Sequence, residues 1–323
     1  MAPAGELRIL PRMKSSSPVI LLGPQRLKPT LGAAVRALGI DGRIATVTAG
    51  WQEREEDDQE LHYHLDGRSI NLRLYQRAEE VFAADPEFAR AHRARQETLQ
   101  KMQELYDLRL LHAVEAVHAL LQRDERSALL DAERAEALEA VRALDTRHLE
   151  RVRGVHEEFE AKWKPGEREA IAQERARLAD ILCWTPAVAI AGGHVAVLLN
   201  RLRLFDLGGL LRGQPVIAWS AGAMAISERV VLFHDNPPQG AGNAEVLDLG
   251  LGLCKGIVPL PHAWRRLRLE DTARIARFAK RFSPALCVAL ADGCKISWDG
   301  KHWRGDGSAQ KLRNDGKLEP VAA

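Results

Sequence analysis

Apolar residues follow two different patterns along this chain. Near residues 18–50, and again after residue 183, they form short unbroken runs closed by Gly, Pro or Asp. Such runs are typical of strands buried on both faces. Between these regions the apolar residues are spread among Ala, Glu, Arg and Gln at helical spacing, with almost no β-branched run.

The first region holds Pro18–Gly23 (P-V-I-L-L-G) and Arg43–Gly50 (R-I-A-T-V-T-A-G), both read as strands. A helix is predicted between them over Leu31–Leu38, stopped by Gly39 and the Asp41–Gly42 turn. Strand, helix, strand in so short a span predicts a right-handed βαβ unit, the opening of a parallel sheet. From about Ser69 to Leu182 the chain reads as helical. Asp85–Pro86 is an N-cap followed by proline at the first helical position, and a long helix to about Arg123 should follow. A second runs from about Glu125 to Trp163 with a bend near Asp145–Thr146, and a third from Glu167 to Leu182. Leu99, Met102, Leu105, Leu108 and Leu111 are expected on one packed face, opposite Leu130, Ala137, Val141 and Leu144. Arg134 falls where that second stripe wants an apolar residue.

Strand-like runs resume with Ala187–Gly193, a helical stretch Val195–Phe205 and the strand Val216–Trp219. Val230–Phe233, Gly256–Leu260 and Cys287–Leu290 follow, with a basic helix from about Leu269 to Arg281 and a terminal hairpin of Cys294–Trp298 and Trp303. The expected fold class is α/β, a doubly wound, mostly parallel sheet with a long all-helical insertion. The expected division is a flexible tail over 1–17, a core over 18–68 and 183–323, and an insertion over 69–182 acting as a lid or an oligomerisation arm.

Composition narrows the function. At 323 residues the chain can bury an α/β core and one further subdomain. A net charge of +2, with both signs interleaved, leaves no footprint for nucleic acid or a membrane surface. No apolar run reaches membrane-spanning length, and the first 17 residues lack the apolar core of a signal peptide. Cys183, Cys254, Cys287 and Cys294 have no C-x-x-C spacing and are expected to be buried free thiols, which suits a cytoplasmic protein.

The candidate chemistry centres on Ser220 in P-V-I-A-W-S-A-G-A-M, where an apolar strand meets a helix through small residues. That is the pattern of a nucleophile elbow. A serine hydroxyl needs a base, and His194, His234 and His262 each follow the end of a predicted strand. His262 is favoured because Pro259 and Pro261 fix the backbone that carries it. His92, His112, His118, His148 and His156 read as surface residues of the helices. The base needs an acid to orient it, and Asp292 in L-A-D-G is the first choice, ahead of Asp235 and Asp248. Oxyanion donors are expected from the amides of Ala221 and Gly193. Gly192, His194, Trp219 and Arg266 are the candidate substrate contacts, the arginine as a bidentate partner for a carboxylate. No His/Asp/Glu cluster has ligand spacing, so neither a metal nor an organic cofactor is expected.

Four stretches (A-I-A-G-G-H, A-W-S-A-G-A, L-G-L-C-K-G-I-V-P-L-P-H-A and A-L-A-D-G-C-K-I-S-W-D-G) resemble the dipeptidase E and cyanophycinase family of serine peptidases. The resemblance implies the flavodoxin-like core shared with class I glutamine amidotransferases, a triad of Ser220, His262 and Asp292, and oxyanion donors at Gly193 and Ala221. It implies hydrolysis of a short peptide or isopeptide bond, and it omits the helical insertion. The chain departs from the family pattern at Ala218, where glycine is usual, and at His194, where asparagine is common. It departs again at Leu260–Pro261, where the family is often polar, and at Asp292, where the acid is often glutamate. Glutaminase chemistry of the amidotransferase type needs a cysteine where Ser220 stands. The alternative from another class is a non-catalytic scaffold whose helical arm binds a partner, and a homo-oligomer through that arm is the expected form of association.

Overall fold

The strands that carry the site are apolar at every position because both faces of their sheet are covered. In a computed structural model describing residues 18–125, 127–211, 213–233 and 242–322, β1 (Val19–Leu22) leads through α1 (Leu31–Ala37) to β2 (Ile44–Val47). α2 (Gln59–His64) and β3 (Ser69–Asn71) follow. The expected tail, His234 and Asp235 lie outside the described residues. Val19 and Leu21 enter one apolar cluster while Ile20 and Leu22 enter another with Leu31, Val35 and Leu61 of α1 and α2. Alternate side chains of one strand thus feed helical layers on opposite sides of the sheet.

Four helices then interrupt the sheet: α3 (Leu74–Ala84), α4 (Pro86–Leu121), α5 (Ala128–Trp163) and α6 (Glu169–Trp184). Next come β4 (Val188–Ile190), α7 (Val195–Leu204), α8 (Leu207–Leu210), β5 (Val216–Trp219) and α9 (Ala221–Ile226). A hairpin of β6 (Arg229–Leu232) and β7 (Glu245–Leu249) precedes β8 (Ile257–Pro261), α10 (Ala263–Arg266), α11 (Thr272–Phe282) and β9 (Leu286–Leu290). The chain closes with β10 (Lys295–Trp298), β11 (Trp303–Gly305), β12 (Gln310–Leu312) and β13 (Leu318–Pro320). The central sheet has the order β11-β10-β1-β5-β4-β2-β3, with β1, β5, β4, β2 and β3 parallel and the terminal hairpin antiparallel against β1. The molecule is a mixed α/β fold with a mostly parallel central sheet and a long helical region.

Two expectations are corrected here. Ser69–Asn71, expected within the insertion, is the edge strand of the central sheet, paired in register with Ile44–Thr46. The helical segment therefore begins at Leu74; a three-residue strand is too short to announce itself by periodicity. β8 and β9, expected in the central sheet, form a separate sheet in the order β13-β12-β9-β8. Pro259 and Pro261 give the reason. They stand two apart on one strand, so their missing N–H groups face the same side, and such a strand can only lie at an edge.

The helices form where expected, but their packed faces differ. Asp85 Oδ1 accepts from the Phe88 amide at 3.0 Å and Ser127 Oγ from Leu130 at 3.2 Å, capping α4 and α5. α5 is one continuous helix of 36 residues through Asp145–Thr146. Arg134 has a task of its own: its Nε and Nη2 reach the carbonyls of Leu120 (3.1 Å) and Arg123 (2.7 Å), closing the end of α4. On α4, Leu99 and Met102 are half-buried, but Leu105, Leu108 and Leu111 face outward. Steps of three drift around a helix of 3.6 residues per turn, so that stripe leaves the contact face. Phe88, His92, Arg95, Tyr106, Leu110 and Val117 hold it instead, at steps of three, four, seven and eleven.

His92 and His148 are therefore buried, not surface residues. Burial beside Phe82, Phe88 and Phe159 pushes His92 down to about 3, and His148 stacks on Tyr106 with ring centroids 4.1 Å apart. Where the arm meets the core, Arg281 of α11 makes two 2.8 Å bonds to the Asp145 carboxylate, and Tyr106 donates to the same group at 2.8 Å. Cys254, Cys287 and Cys294 are buried free thiols as expected, whereas Cys183 is exposed near the end of α6.

Candidate active site

β5 lies between β1 and β4, and the turn after its last residue places Ser220 at the carboxyl edge of the sheet. Ser220 has φ +51° and ψ −126°, and α9 starts at the next residue. A non-glycine residue at positive φ persists only where its surroundings over-determine it. Here they do: all of β5 and all six residues of α9 are buried. Ala218 is fully buried between Leu21 of β1 and Ile190 of β4, so a methyl group fits where the family usually has glycine.

β4 ends one strand away, and its Gly192 faces the serine. A Cβ on Gly192 would stand 2.6 Å from Ser220 Cβ. Gly193 has φ +109°, and a Cβ there would lie 2.3 Å from the Gly50 carbonyl oxygen. That oxygen accepts from the His194 amide at 2.7 Å. The ends of β2, β4 and β5 thus approach backbone to backbone, which only glycine permits at those points. Among the described residues, the amides of Gly193 and Ala221 have no acceptor. They are available to a developing negative charge.

β8 delivers His262. Its last residue pairs in register with Leu290, so His262 and Asp292 leave the carboxyl ends of two adjacent parallel strands. His262 takes a left-handed turn, φ +58° and ψ 27°, which brings its Nε2 to 3.2 Å from Ser220 Oγ. Burial lowers its pKa, helped by the charges of Arg266 and Arg265, while Asp292 pulls the other way. A lowered value keeps the ring neutral, the state that can accept a proton from serine. Asp292 acts on the ring by charge alone. Among the described residues, no hydrogen bond links it to His262, whose Nδ1 has no partner.

The other candidates fall elsewhere. His194 caps α7, its Nδ1 accepting from the Val197 amide at 3.3 Å, and its position fits a cavity wall rather than a base. Asp248 is held by Arg203 (2.7 and 3.0 Å) and by His156 (3.0 Å), bonds that keep its carboxyl at about 2 against the opposing effect of burial. It is committed there and is no partner for His262. Trp219 is buried and lines the cavity. Arg266 is half-buried on the cavity wall beside His262, burial lowering its pKa, and has no carboxylate partner among the described residues.

The cavity above Ser220 holds about 730 Å³. Part of its wall went unrecognised in the sequence: Gln25 after β1, Trp51 after β2, Asp57 just before α2, and Glu60 and His64 on α2. Gln25 shapes the first loop, its Oε1 accepting from Thr30 (2.7 Å) and Leu31 (2.8 Å). The one sequence cue for this wall was a glycine, Gly50, ending a strand as Gly192 does. Among the described residues, none of those lining the cavity comes from 69–182. The arm packs on β7 and α11. Among the described residues, no group of three or more His, Cys, Asp or Glu side chains could hold a metal ion, and no helix is long and apolar enough to cross a membrane.

Comparison with known proteins adds one result. A model of the family described as Peptidase family S51 matches residues 139–305, slightly more than half of the chain and a span holding Gly192, Ser220, His262 and Asp292. No curated protein matches the chain.

Proposed function

This chain belongs to peptidase family S51 and is a serine-type peptidase of the dipeptidase E and cyanophycinase kind, and from that premise we propose that Ser220 is its nucleophile and His262 its general base. The observation that carries the reading is the 3.2 Å approach of Ser220 Oγ to His262 Nε2, made by a serine held at positive φ beneath a cavity. His262 Nε2 takes the serine proton as Oγ bonds to the scissile carbonyl carbon. The carbonyl oxygen becomes an oxyanion and is met by the amides of Gly193 and Ala221. Collapse breaks the C–N bond, and the imidazolium returns the proton to the leaving amine. Water then attacks the acyl-enzyme with His262 again as base, releasing the carboxylic acid and restoring the serine.

Asp292 has an electrostatic part in this reading: its charge stabilises the imidazolium from the end of the neighbouring strand. Arg266 supplies the substrate preference. A half-buried guanidinium without an anionic partner among the described residues, beside the base, suits a substrate that brings its own carboxylate. The substrate class is a short peptide or isopeptide with a carboxylate near the scissile bond. A serine-reactive fluorophosphonate tests the nucleophile: labelling should map to Ser220 and vanish in Ser220→Ala. Absence of labelling in the folded wild-type protein would favour the scaffold alternative.

A further inference from the structure

The outward stripe on α4 has a symmetry that its packing in the hairpin does not explain. Leu105, Leu108 and Leu111 are 59%, 57% and 44% exposed, three large apolar side chains within two turns. Taken at roughly 100° per residue, Leu108 lies on the side of α4 opposite Leu99 and Val117, which turn toward the rest of the molecule. The packed face of this helix is already filled, and the leucines contribute nothing to it.

The residues around Leu108 are arranged as a charge palindrome. Three positions to either side stand Leu105 and Leu111, four positions away Glu104 and His112, and seven positions away Lys101 and Glu115. All are exposed. Lys101 and Glu115 both fall within roughly 20° of the line through Leu108 along the helix. Lys101 makes no ion pair among the described residues.

We propose that α4 is a self-association surface, and that a second copy of this chain docks on it antiparallel about a two-fold axis at Leu108. In that arrangement, residues equally far from Leu108 on the two helices lie at one level. Leu108 meets its own copy on the axis, Leu105 and Leu111 of each chain flank it, and Lys101 of one chain lies level with Glu115 of the other. Each copy supplies two such ends, so the pair forms twice. A parallel arrangement would set Lys101 against Lys101 and Glu115 against Glu115, which opposes it. The occupant is therefore a second copy in one orientation. The cavity above Ser220 has no wall from the arm, so both active sites of the dimer stay open.

Sedimentation equilibrium of the full chain over a wide concentration range is the test. The wild type should show a reversible monomer–dimer equilibrium. Leu108→Glu, which sets two carboxylates face to face on the axis, should weaken the dimer at least about tenfold. Lys101→Glu and Glu115→Lys should each weaken it about two- to fivefold, and the double exchange should recover the wild-type constant. All three positions are solvent-exposed and lie outside the cavity lining, so peptidase activity and circular dichroism should stay as in the wild type. A wild type that remains monomeric, a dimer indifferent to Leu108→Glu, or a double exchange no better than the single ones would each overturn the proposal.

Discussion

Two of the polar side-chain clusters in this molecule are finished to different degrees. At the root of the arm, Tyr106, Asp145 and Arg281 are buried and closed on one another. Both carboxylate oxygens accept from Arg281, one also from Tyr106, and the Tyr106 oxygen accepts from the Val246 amide at 3.2 Å. At the head of β5, Ser220 and His262 share a single 3.2 Å approach, and among the described residues His262 Nδ1 has no partner and two amides have no acceptor. The first cluster has no valence left for a ligand and acts as a rivet between α4, α5 and α11. The second keeps its valences open toward a cavity. Incomplete satisfaction, not polarity or perturbed titration, separates the cluster proposed as catalytic from the structural one.

The sharpest way to break this contrast is to remove one member of each cluster. Ser220→Ala should cut peptide hydrolysis by about 10⁴-fold or more while the thermal transition stays in place. Retained turnover would move the chemistry elsewhere. Asp145→Ala should do the reverse. It leaves Arg281 buried and uncompensated and should lower unfolding free energy by about 3–5 kcal/mol in denaturant titration, with kcat unchanged below the transition.

Gly192→Ala probes the boundary between site and scaffold. Its new methyl would lie 2.6 Å from Ser220 Cβ and must displace the serine. A loss of about 10²-fold in kcat is expected with little change in KM, read from steady-state kinetics. The smallest effects concern pH. His262 must be neutral to act, and its pKa is held down by burial and by Arg266, so activity should extend to more acidic pH than an ordinary histidine would allow. Arg266→Gln removes a positive charge, raises that pKa and should move the acid limb of kcat/KM upward. Asp292→Asn removes a negative charge and should move it downward. Shifts of the same sign in both variants would contradict the electrostatic role given to Asp292.

What could be read from the sequence follows how local each signal is. The elbow was legible because a strand, a small-residue turn and a helix are contiguous around Ser220, and His262 and Asp292 because each follows a strand end. Helix existence on α4 and α5 was legible from composition, and the start of α4 from the cap at Asp85, whereas the Ser127 cap of α5 was not read. Which faces pack was not. Tyr106, Asp145 and Arg281 are far apart in the chain, and a buried ion pair looks in sequence like two surface charges. The second sheet was written in Pro259 and Pro261, but only as a constraint on where β8 could lie, not on what it would pair with. The cavity wall from Gln25 to His64 depended on which loops the strand order gathers, and no residue pattern states that order.

Beside Ser220, Gly192 and Gly193 form a floor of bare peptide, closely backed by Gly50 from a neighbouring crossing of the sheet. Glycine offers no side chain with which to discriminate between substrates, so under the proposed function selectivity would be exercised by the polar side chains of the wall, Gln25, Asp57, Glu60 and Arg266. Anyone retargeting this peptidase should therefore remodel the rim and leave the floor alone: the same reaction would then serve a different customer.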